Sequence, residues 1–368
     1  MREAIRLASC GMGKTSPNPM VGAVIVKGGN IVGTGYHKGA GTPHAEVVAI
    51  NRAGANTDGA TLYVNFEPCC HWGRTPPCTQ AIIKAGIKEV HASIIDPSVW
   101  VNGKGIKELK DAGIKVIVGE LADKASELNA AYIKWAKTGL PYVILKAAIT
   151  LDGKIADGAK RASRLSRFGG GYCGISSKWI TSEVSRKFVH RLRAQVDAVM
   201  VGIGTVIADD PSLTVRLVRG KNPKRIILDS NLRTPREAKI LGNGCIIATL
   251  KNSRVEGAFM PRQIEGAEVW QIQPNDKGKV DILEVLKRAA KTGIQSILIE
   301  GGKEVFTDVL SRQIVDKVYC FIAPKIIGNG VPVIGDLGIK NIQEALTLNA
   351  IKIRKFGHDI LVEGKFSH

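Results

Sequence analysis

The stretch Thr42-Pro43-His44-Ala45-Glu46, followed downstream by Pro68-Cys69 and then by Cys78, decides how the first part of this chain is read. One imidazole and two thiolates are the three protein ligands of a catalytic zinc site, with a fourth position open for water. Zinc in such a site lowers the pKa of its water from about 15.7 to near 7. Glu46 is not needed as a ligand. It is available to take a proton from the water and return it to a leaving group, which is general acid–base work. Thr42 as N-cap and Pro43 at the first helical position predict a helix over about 43–53, with His44 and Glu46 in its first turn. Cys78 follows Pro76-Pro77 at the start of another predicted helix, 79–85, where the macrodipole favours a thiolate.

Outward from this constellation, strand and helix signals alternate. Residues 21–26, 60–66, 90–95 and 115–118 read as strands. The pattern breaks at Lys137-Thr138-Gly139-Leu140-Pro141, a turn-rich linker. It then restarts, with strands expected at 142–148, 198–201, 225–228, 244–249, 296–300 and 317–322. Helices are expected over about 182–195, with Val184, Phe188 and Leu192 on one face, and over about 281–292. Two α/β domains with mainly parallel or mixed sheets follow, one over residues 1–138 and one over 141–368. A chain of 368 residues agrees with two domains.

The composition is that of a globular protein, 44% hydrophobic and 23% charged. No apolar run is long enough for a membrane span or a secretory signal, so a cytoplasmic protein is expected. Seven cysteines then argue against a disulfide framework. Cys69, Cys70 and Cys78 crowd together as metal or catalytic residues, while Cys10, Cys173, Cys245 and Cys320 read as small buried apolar residues. The net charge of +19 fits a lysine-rich solvated surface, phosphate metabolites or, last, nucleic acid.

A non-ligand Glu beside the His, followed by Pro-Cys, is the signature of zinc deaminases. Deaminases of nucleic acids and free nucleosides commonly space their cysteines as Cys-x-x-Cys, whereas here Cys70-His71-Trp72-Gly73-Arg74-Thr75-Pro76-Pro77 intervenes. That insert, with Thr15-Ser16-Pro17-Asn18-Pro19-Met20-Val21-Gly22-Ala23-Val24 and Val101-Asn102-Gly103-Lys104-Gly105-Ile106, closely resembles the bifunctional riboflavin-biosynthesis deaminase–reductases. The likeness extends through Leu151-Asp152-Gly153-Lys154, Ser177-Lys178-Trp179-Ile180-Thr181, Ala208-Asp209-Asp210-Pro211-Ser212-Leu213-Thr214-Val215-Arg216 and Glu300-Gly301-Gly302, covering nearly the whole chain.

The resemblance implies a cytidine-deaminase-like α/β/α zinc domain followed by a dihydrofolate-reductase-like α/β domain. The first would hydrolyse the 2-amino group of 2,5-diamino-6-ribosylamino-4(3H)-pyrimidinone 5′-phosphate; the second would use NADPH to reduce the ribosyl chain to ribityl. Zinc would be held by His44, Cys69 and Cys78, with Glu46 shuttling protons. NADPH would contact Ala148, Trp179, Thr205, Asp209, Ser230 and the Gly302-Lys303 turn. Substrate would contact Ser177, Arg193, Leu213, Arg216 and Glu300, and Asp209 is a candidate proton donor.

The residues agree in part: Glu300-Gly301-Gly302 precedes a helical stretch whose N–H groups suit a phosphate, and Arg193 and Arg216 suit the substrate's phosphate. Trp179 alone would read as core. Gly202-Ile203-Gly204-Thr205 lacks the third glycine and the downstream acid of a Rossmann fingerprint. Departures are Cys70 and Trp72, where Ser and His are common in the family, and a long basic, Gly-rich segment at 160–174. A homo-oligomer acting on a small phosphorylated pyrimidine is expected, without nucleic acid or membrane. The rival is a tRNA-type zinc deaminase with an accessory domain.

Overall fold

The computed structural model describes residues 1–157, 179–250 and 266–366. Ser177, Cys173 and the 160–174 segment lie outside them. The chain forms two compact units, Met1–Tyr142 with Ala289–Gln295, and Val143–Arg288 with Ser296–His368.

The first unit runs α1 (Arg2–Ala8), β1 (Gly22–Lys27), β2 (Asn30–Tyr36), α2 (Ala45–Ala53), β3 (Thr61–Val64), α3 (Cys78–Lys84), β4 (Glu89–Ala92), α4 (Lys104–Asp111), β5 (Lys115–Val118), α5 (Ala122–Leu128) and α6 (Ala130–Thr138). Its sheet has the order β2-β1-β3-β4-β5. β1 is antiparallel to both β2 and β3, whereas β3, β4 and β5 are mutually parallel. Ala23, Ile25, Leu62, Val64, Val90 and Ala92 from the strands pack with Ala45, Ala49, Ile82 and Leu109 from the helices into one core.

α2 begins later than the Thr42 signal predicts. His44 is the N-cap, with extended φ −70° and ψ 160°, and its carbonyl accepts the first helical bond, from Val48 N–H. The Thr42 hydroxyl instead donates to Gly39 O at 2.7 Å inside the preceding loop. Once that hydroxyl is engaged locally it no longer caps the helix. The shift holds His44 out of the helical backbone, one residue before the first turn that carries Glu46.

α2 lies unusually close to β2 because two strand residues lack side chains. A Cβ on Gly35 would fall 2.2 Å from Ala45 O and 2.8 Å from Ala49 N, and one on Gly33 would fall 2.3 Å from Ala49 O. Small residues on both partners, Ala45, Ala49 and Ala53 on the helix, complete the fit.

The second unit runs β6 (Tyr142–Thr150), β7 (Lys154–Asp157), α7 (Glu183–Gln195), β8 (Ala198–Gly202), α8 (Ile203–Asp209), β9 (Lys224–Leu228), β10 (Cys245–Thr249), β11 (Ala267–Gln271), α9 (Ile282–Lys291), β12 (Ser296–Ile299), α10 (Lys303–Ser311), β13 (Lys317–Ala323), β14 (Gly330–Pro332), β15 (Asn349–Phe356) and β16 (Asp359–Lys365). Nine strands form a mixed sheet of order β11-β10-β9-β8-β12-β6-β13-β16-β15, and β7 pairs with β14. β8 runs parallel to β9 and β12, and β13 parallel to β6, before β16 and β15 turn antiparallel. Parallel strands present their C-terminal ends together, the usual place for a ligand crevice in an α/β sheet.

α7 turns Phe188 and Leu192 toward the core as predicted, but not Val184. Val184 is 53% exposed, while Val189 and Leu192 are buried and Phe188 packs against Tyr319, Phe321 and Phe356. Among the isolated cysteines, Cys245 is buried as expected, Cys320 is half-buried, and Cys10 is exposed, on the surface just beyond α1.

Gly35→Ala is expected to push α2 off the sheet and to destabilise the first unit by about 1–3 kcal/mol, the usual scale of overpacking. Thermal or denaturant unfolding followed against the unaltered chain checks this.

Candidate active sites

Three segments of the first unit deliver three donor atoms to one point. His44 Nδ1 lies 3.2 Å from Cys78 Sγ and 3.4 Å from Cys69 Sγ, and the three donors all lie within 4.8 Å of one another. His44 comes from the N-cap of α2, Cys69 from the loop after β3, and Cys78 from the first residue of α3, whose N–H donates to Cys69 Sγ at 3.4 Å. Tetrahedral zinc with bonds of about 2.3 Å to sulfur and about 2.0–2.1 Å to nitrogen holds N and S donors roughly 3.6 Å apart. The donor set therefore fits zinc in identity and in spacing. Cys70 is not part of the cluster.

Protonation in this cluster follows from crowding. The hydrogen bond from Cys78, with His44 adding to it against the effect of burial, draws the Cys69 thiol well below its ordinary range. The same bond and burial push Cys78 up. Binding of a divalent cation requires both sulfurs deprotonated and so releases protons.

The remaining side chains hold the ligands in place. His44 Nε2 lies 3.2 Å from Thr75 Oγ1. With Nδ1 turned to the sulfurs, Nε2 carries the proton and donates to that hydroxyl, which fixes the ring. Buried His37 meets the His44 ring edge-on at 5.2 Å. Asn18 Nδ2 lies 3.0 Å from His37 Nε2, and His37 Nδ1 lies 3.3 Å from Pro43 O. Glu46 is 3% exposed, and its Oε2 has no hydrogen-bond partner among the described residues. Burial, and then the Cys69 charge, raise its carboxyl above the usual range. A cavity of about 350 Å³ opens here, walled by Asn18, His37, His44, Glu46, Cys69, Arg74, Thr75 and Asp96 among others. Trp72 stands outside it, 77% exposed.

The second unit holds a larger cavity of about 1740 Å³ at the C-terminal ends of β8, β9 and β12. Ala148, Trp179, Thr205, Asp209, Ser230, Gly302 and Lys303 all line it, as do Arg193, Leu213, Arg216 and Glu300. Its volume has room for a dinucleotide and a second ligand together. Gly302 packs closely here, since a Cβ would fall 3.0 Å from Thr205 Oγ1. The N-terminus of α10 follows directly, with Gly302 as its N-cap and no side-chain cap.

Several of these residues differ from expectation in environment. Trp179 is 48% exposed rather than core, with the Arg186 guanidinium 4.7 Å above its ring. Arg193 was expected to meet a phosphate, but its fork is engaged by Glu300: Nε donates to Oε1 at 2.5 Å and Nη2 to Oε2 at 2.9 Å, while Nη1 donates to Thr214 O. Arg193 therefore orients Glu300. Burial alone would raise the Glu300 carboxyl, but Arg193 and Lys146 outweigh it and hold the group ionised. Leu213 is 4% exposed and adopts φ 50°, so it anchors the loop before Arg216 in the core as well as lining the cavity. The Arg216 backbone N–H donates to His190 Nδ1 at 2.9 Å. Burial, then Arg193 and Arg216, pull that imidazole down to about 4, which keeps it a neutral acceptor.

Lys146 is a cavity residue that sequence reasoning missed. It sits mid-strand in β6, where a single lysine reads as a surface residue. Burial lowers its pKa while Glu300 opposes the shift. Thr75, His37 and Asn18 were likewise passed over in their roles, although Asn18 and Thr75 fall inside the quoted motifs.

Comparison with known proteins agrees with this geometry. Residues 1–94 match the cytidine and deoxycytidylate deaminase zinc-binding region, and residues 141–362 match the RibD C-terminal domain. The riboflavin biosynthesis protein RibD of Aquifex aeolicus is 43% identical, covering 98% of this chain and 96% of that protein. The Escherichia coli RibD is 37% identical over 98% and 96% of the two chains. Among solved structures, Acinetobacter baumannii RibD superposes with a TM-score of 0.86 at 35% identity, covering 100% of this chain and 98% of that one. A Thermotoga maritima diaminohydroxyphosphoribosylaminopyrimidine deaminase/5-amino-6-(5-phosphoribosylamino)uracil reductase gives 0.84 at 36% identity, with coverage of 100% and 97%. With a zinc-type donor cluster in one unit, a dinucleotide-sized cavity in the other and relatives matched end to end, the chain belongs to the RibD family of riboflavin-biosynthesis enzymes, zinc-dependent deaminases joined to NADPH-dependent reductases.

Proposed function

We propose that residues 1–138 hydrolyse the 2-amino group of 2,5-diamino-6-ribosylamino-4(3H)-pyrimidinone 5′-phosphate, and that residues 141–368 reduce the ribosyl chain of the product to ribityl with NADPH. The observation that carries the reading is the meeting of His44, Cys69 and Cys78 beside the buried Glu46 carboxyl. The likeness to the Thermotoga maritima deaminase/reductase supports the substrate.

Bound zinc supplies a Lewis acid that makes water nucleophilic at neutral pH. The chain does the rest. His44, Cys69 and Cys78 hold the ion, with Thr75 fixing the imidazole. Glu46 takes the proton released as water attacks and delivers it to the departing amine. A cavity of about 350 Å³ has room for a pyrimidine-sized ligand.

In the second unit NADPH supplies the hydride. The walls contributed by Ala148, Trp179, Thr205, Ser230, Gly302 and Lys303 would seat it, and Asp209 would lie at the same site as a proton donor. Glu300, aligned by Arg193, and Leu213 would contact the substrate. Arg216 takes the phosphate. Its guanidinium donates only to Thr214 Oγ1 among the described residues, so most of its fork remains available.

No helix among the described residues is long and apolar enough to cross a membrane, which accords with a cytoplasmic enzyme. Exposed Ile351, Ile353 and Ile360 on the antiparallel end of the large sheet support a homo-oligomer.

Metal analysis combined with turnover of the pyrimidine phosphate, with and without NADPH, tests the whole reading. Glu46→Gln is expected to retain zinc, and NADPH oxidation when the deaminated phosphate is supplied, while losing deamination by a factor of about 10² or more; a fully active variant would remove Glu46 from the proton path. Cys78→Ala is expected to lose the metal. For Arg216→Ala the expected result is a raised KM for the deaminated phosphate with little change in KM for NADPH, read from initial rates of NADPH oxidation.

A further inference from the structure

Glu67 stands two residues before Cys69 and is 4% exposed. Its carboxylate accepts three backbone N–H groups from a distant stretch of chain. Asp96 N–H and Gly103 N–H donate to Oε2 at 3.0 and 2.9 Å, and Ile106 N–H donates to Oε1 at 3.1 Å. A carboxylate this deeply buried is costly unless its oxygens are hydrogen-bonded. Gly103 is the N-cap of α4 and has no side chain to cap the helix, so Glu67 caps α4 from another segment, its charge against the positive end of the helix dipole. Gly105 allows the approach: a Cβ there would fall 2.1 Å from Pro68 O and 3.3 Å from Glu67 Oε1.

The bonds from Asp96 and Gly103 share one oxygen, so a single carboxylate closes the base of the loop 96–103. Inside the loop, Ser98 N–H donates to Asp96 Oδ1 at 2.8 Å and Val101 N–H to Ser98 O at 3.0 Å. Tyr132 Oη, from α6, donates to the Asp96 carboxylate at 3.0 Å. Asp96, Ser98, Trp100 and Val101 line the deaminase cavity, yet Trp100 is 70% exposed. A large indole held open at the rim of a cavity is suited to cover an aromatic ligand.

We propose that Glu67 is a positioning residue for deamination: by closing the base of the 96–103 loop it holds Ser98 and Trp100 against the pyrimidine substrate, in register with Cys69 two residues away. The proposal rests on the deaminase reading above. Glu67 touches no reacting atom. Losing it weakens substrate and transition state alike, and the loss falls on KM rather than kcat.

The test uses the full, zinc-loaded chain. Glu67→Gln places an amide donor where a carboxylate oxygen accepts, so at least one of the three N–H groups loses its partner. The expected result is a KM for the pyrimidine phosphate raised roughly tenfold or more, the scale of one lost charge-assisted hydrogen bond. In that variant kcat, zinc content and the chain's own NADPH-dependent reductase turnover should be little changed. Trp100→Ala, at an exposed position that leaves the Glu67 bonds intact, is expected to raise KM in the same way. Zinc or reductase turnover falling together with deamination in Glu67→Gln would make its role merely structural and overturn the proposal. An unchanged KM in Trp100→Ala overturns it even if Glu67→Gln does not fold. Absence of deamination by the unaltered chain would overturn the deaminase reading and this proposal together, whereas normal turnover with unchanged KM in either variant overturns this proposal alone.

Discussion

The first unit depends on bringing one imidazole nitrogen and two sulfurs within bonding distance of a common point. Each donor sits where an element begins or ends: the N-cap of α2, the loop after β3 and the first residue of α3. Such positions are fixed by the elements without being locked into helical or strand geometry. The close seat of α2 on Gly33 and Gly35 fixes the height of His44 above the sheet, and Thr75 fixes the rotation of its ring. Three donors this near one another suit a single cation, whose binding requires both sulfurs deprotonated.

The second unit is built around a different pairing. Arg193 and Glu300 form a bidentate, nearly buried ion pair between α7 and the end of β12, with half-buried Lys146 alongside on β6. Such a pair contributes little net stability, but breaking it by removing one partner is costly because a charge is left stranded. Its value lies in fixing where the Glu300 carboxylate sits and in keeping it ionised at the cavity floor. The glycines at 301 and 302 keep the adjoining wall low enough for Thr205 to approach.

What the sequence made legible, and what it hid, follows from the range of the interactions. The zinc cluster is carried by rare residue types at short spacing next to helix starts, so it could be read directly. Thr42 misled because a hydroxyl before a helix satisfies a loop carbonyl as easily as a helical N–H, and sequence does not choose between them. β2 was not foreseen at all: Gly33 and Gly35 interrupt the apolar pattern of Asn30–Tyr36, and the packing reason for them lies on α2. The engagement of Arg193 by Glu300 and of Glu67 by three distant N–H groups joins residues far apart in the chain, for which no local pattern exists. Lys146 hid for a related reason, being one polar residue in a strand whose two faces alternate.

The positive charge shows the same limit from the other side. A net +19 reads, in composition, as a surface offered to phosphates or nucleic acid. In the structure many of the cations have structural partners. Arg225 is 6% exposed and donates to the carbonyls of Ile240, Gly242 and Asn243. Arg312 is held by Asp308, Arg354 by Glu363, and Arg193 by Glu300. Meanwhile the first unit gathers an imidazole and two sulfurs, a donor set that attracts a cation, inside a strongly basic chain. Whether a site favours a cation or an anion is therefore decided by which side chains have their partners close at hand. By that criterion Arg193, whose fork is taken up by Glu300, is less available to an anion in the cavity than Arg216, whose guanidinium donates to a neighbouring hydroxyl.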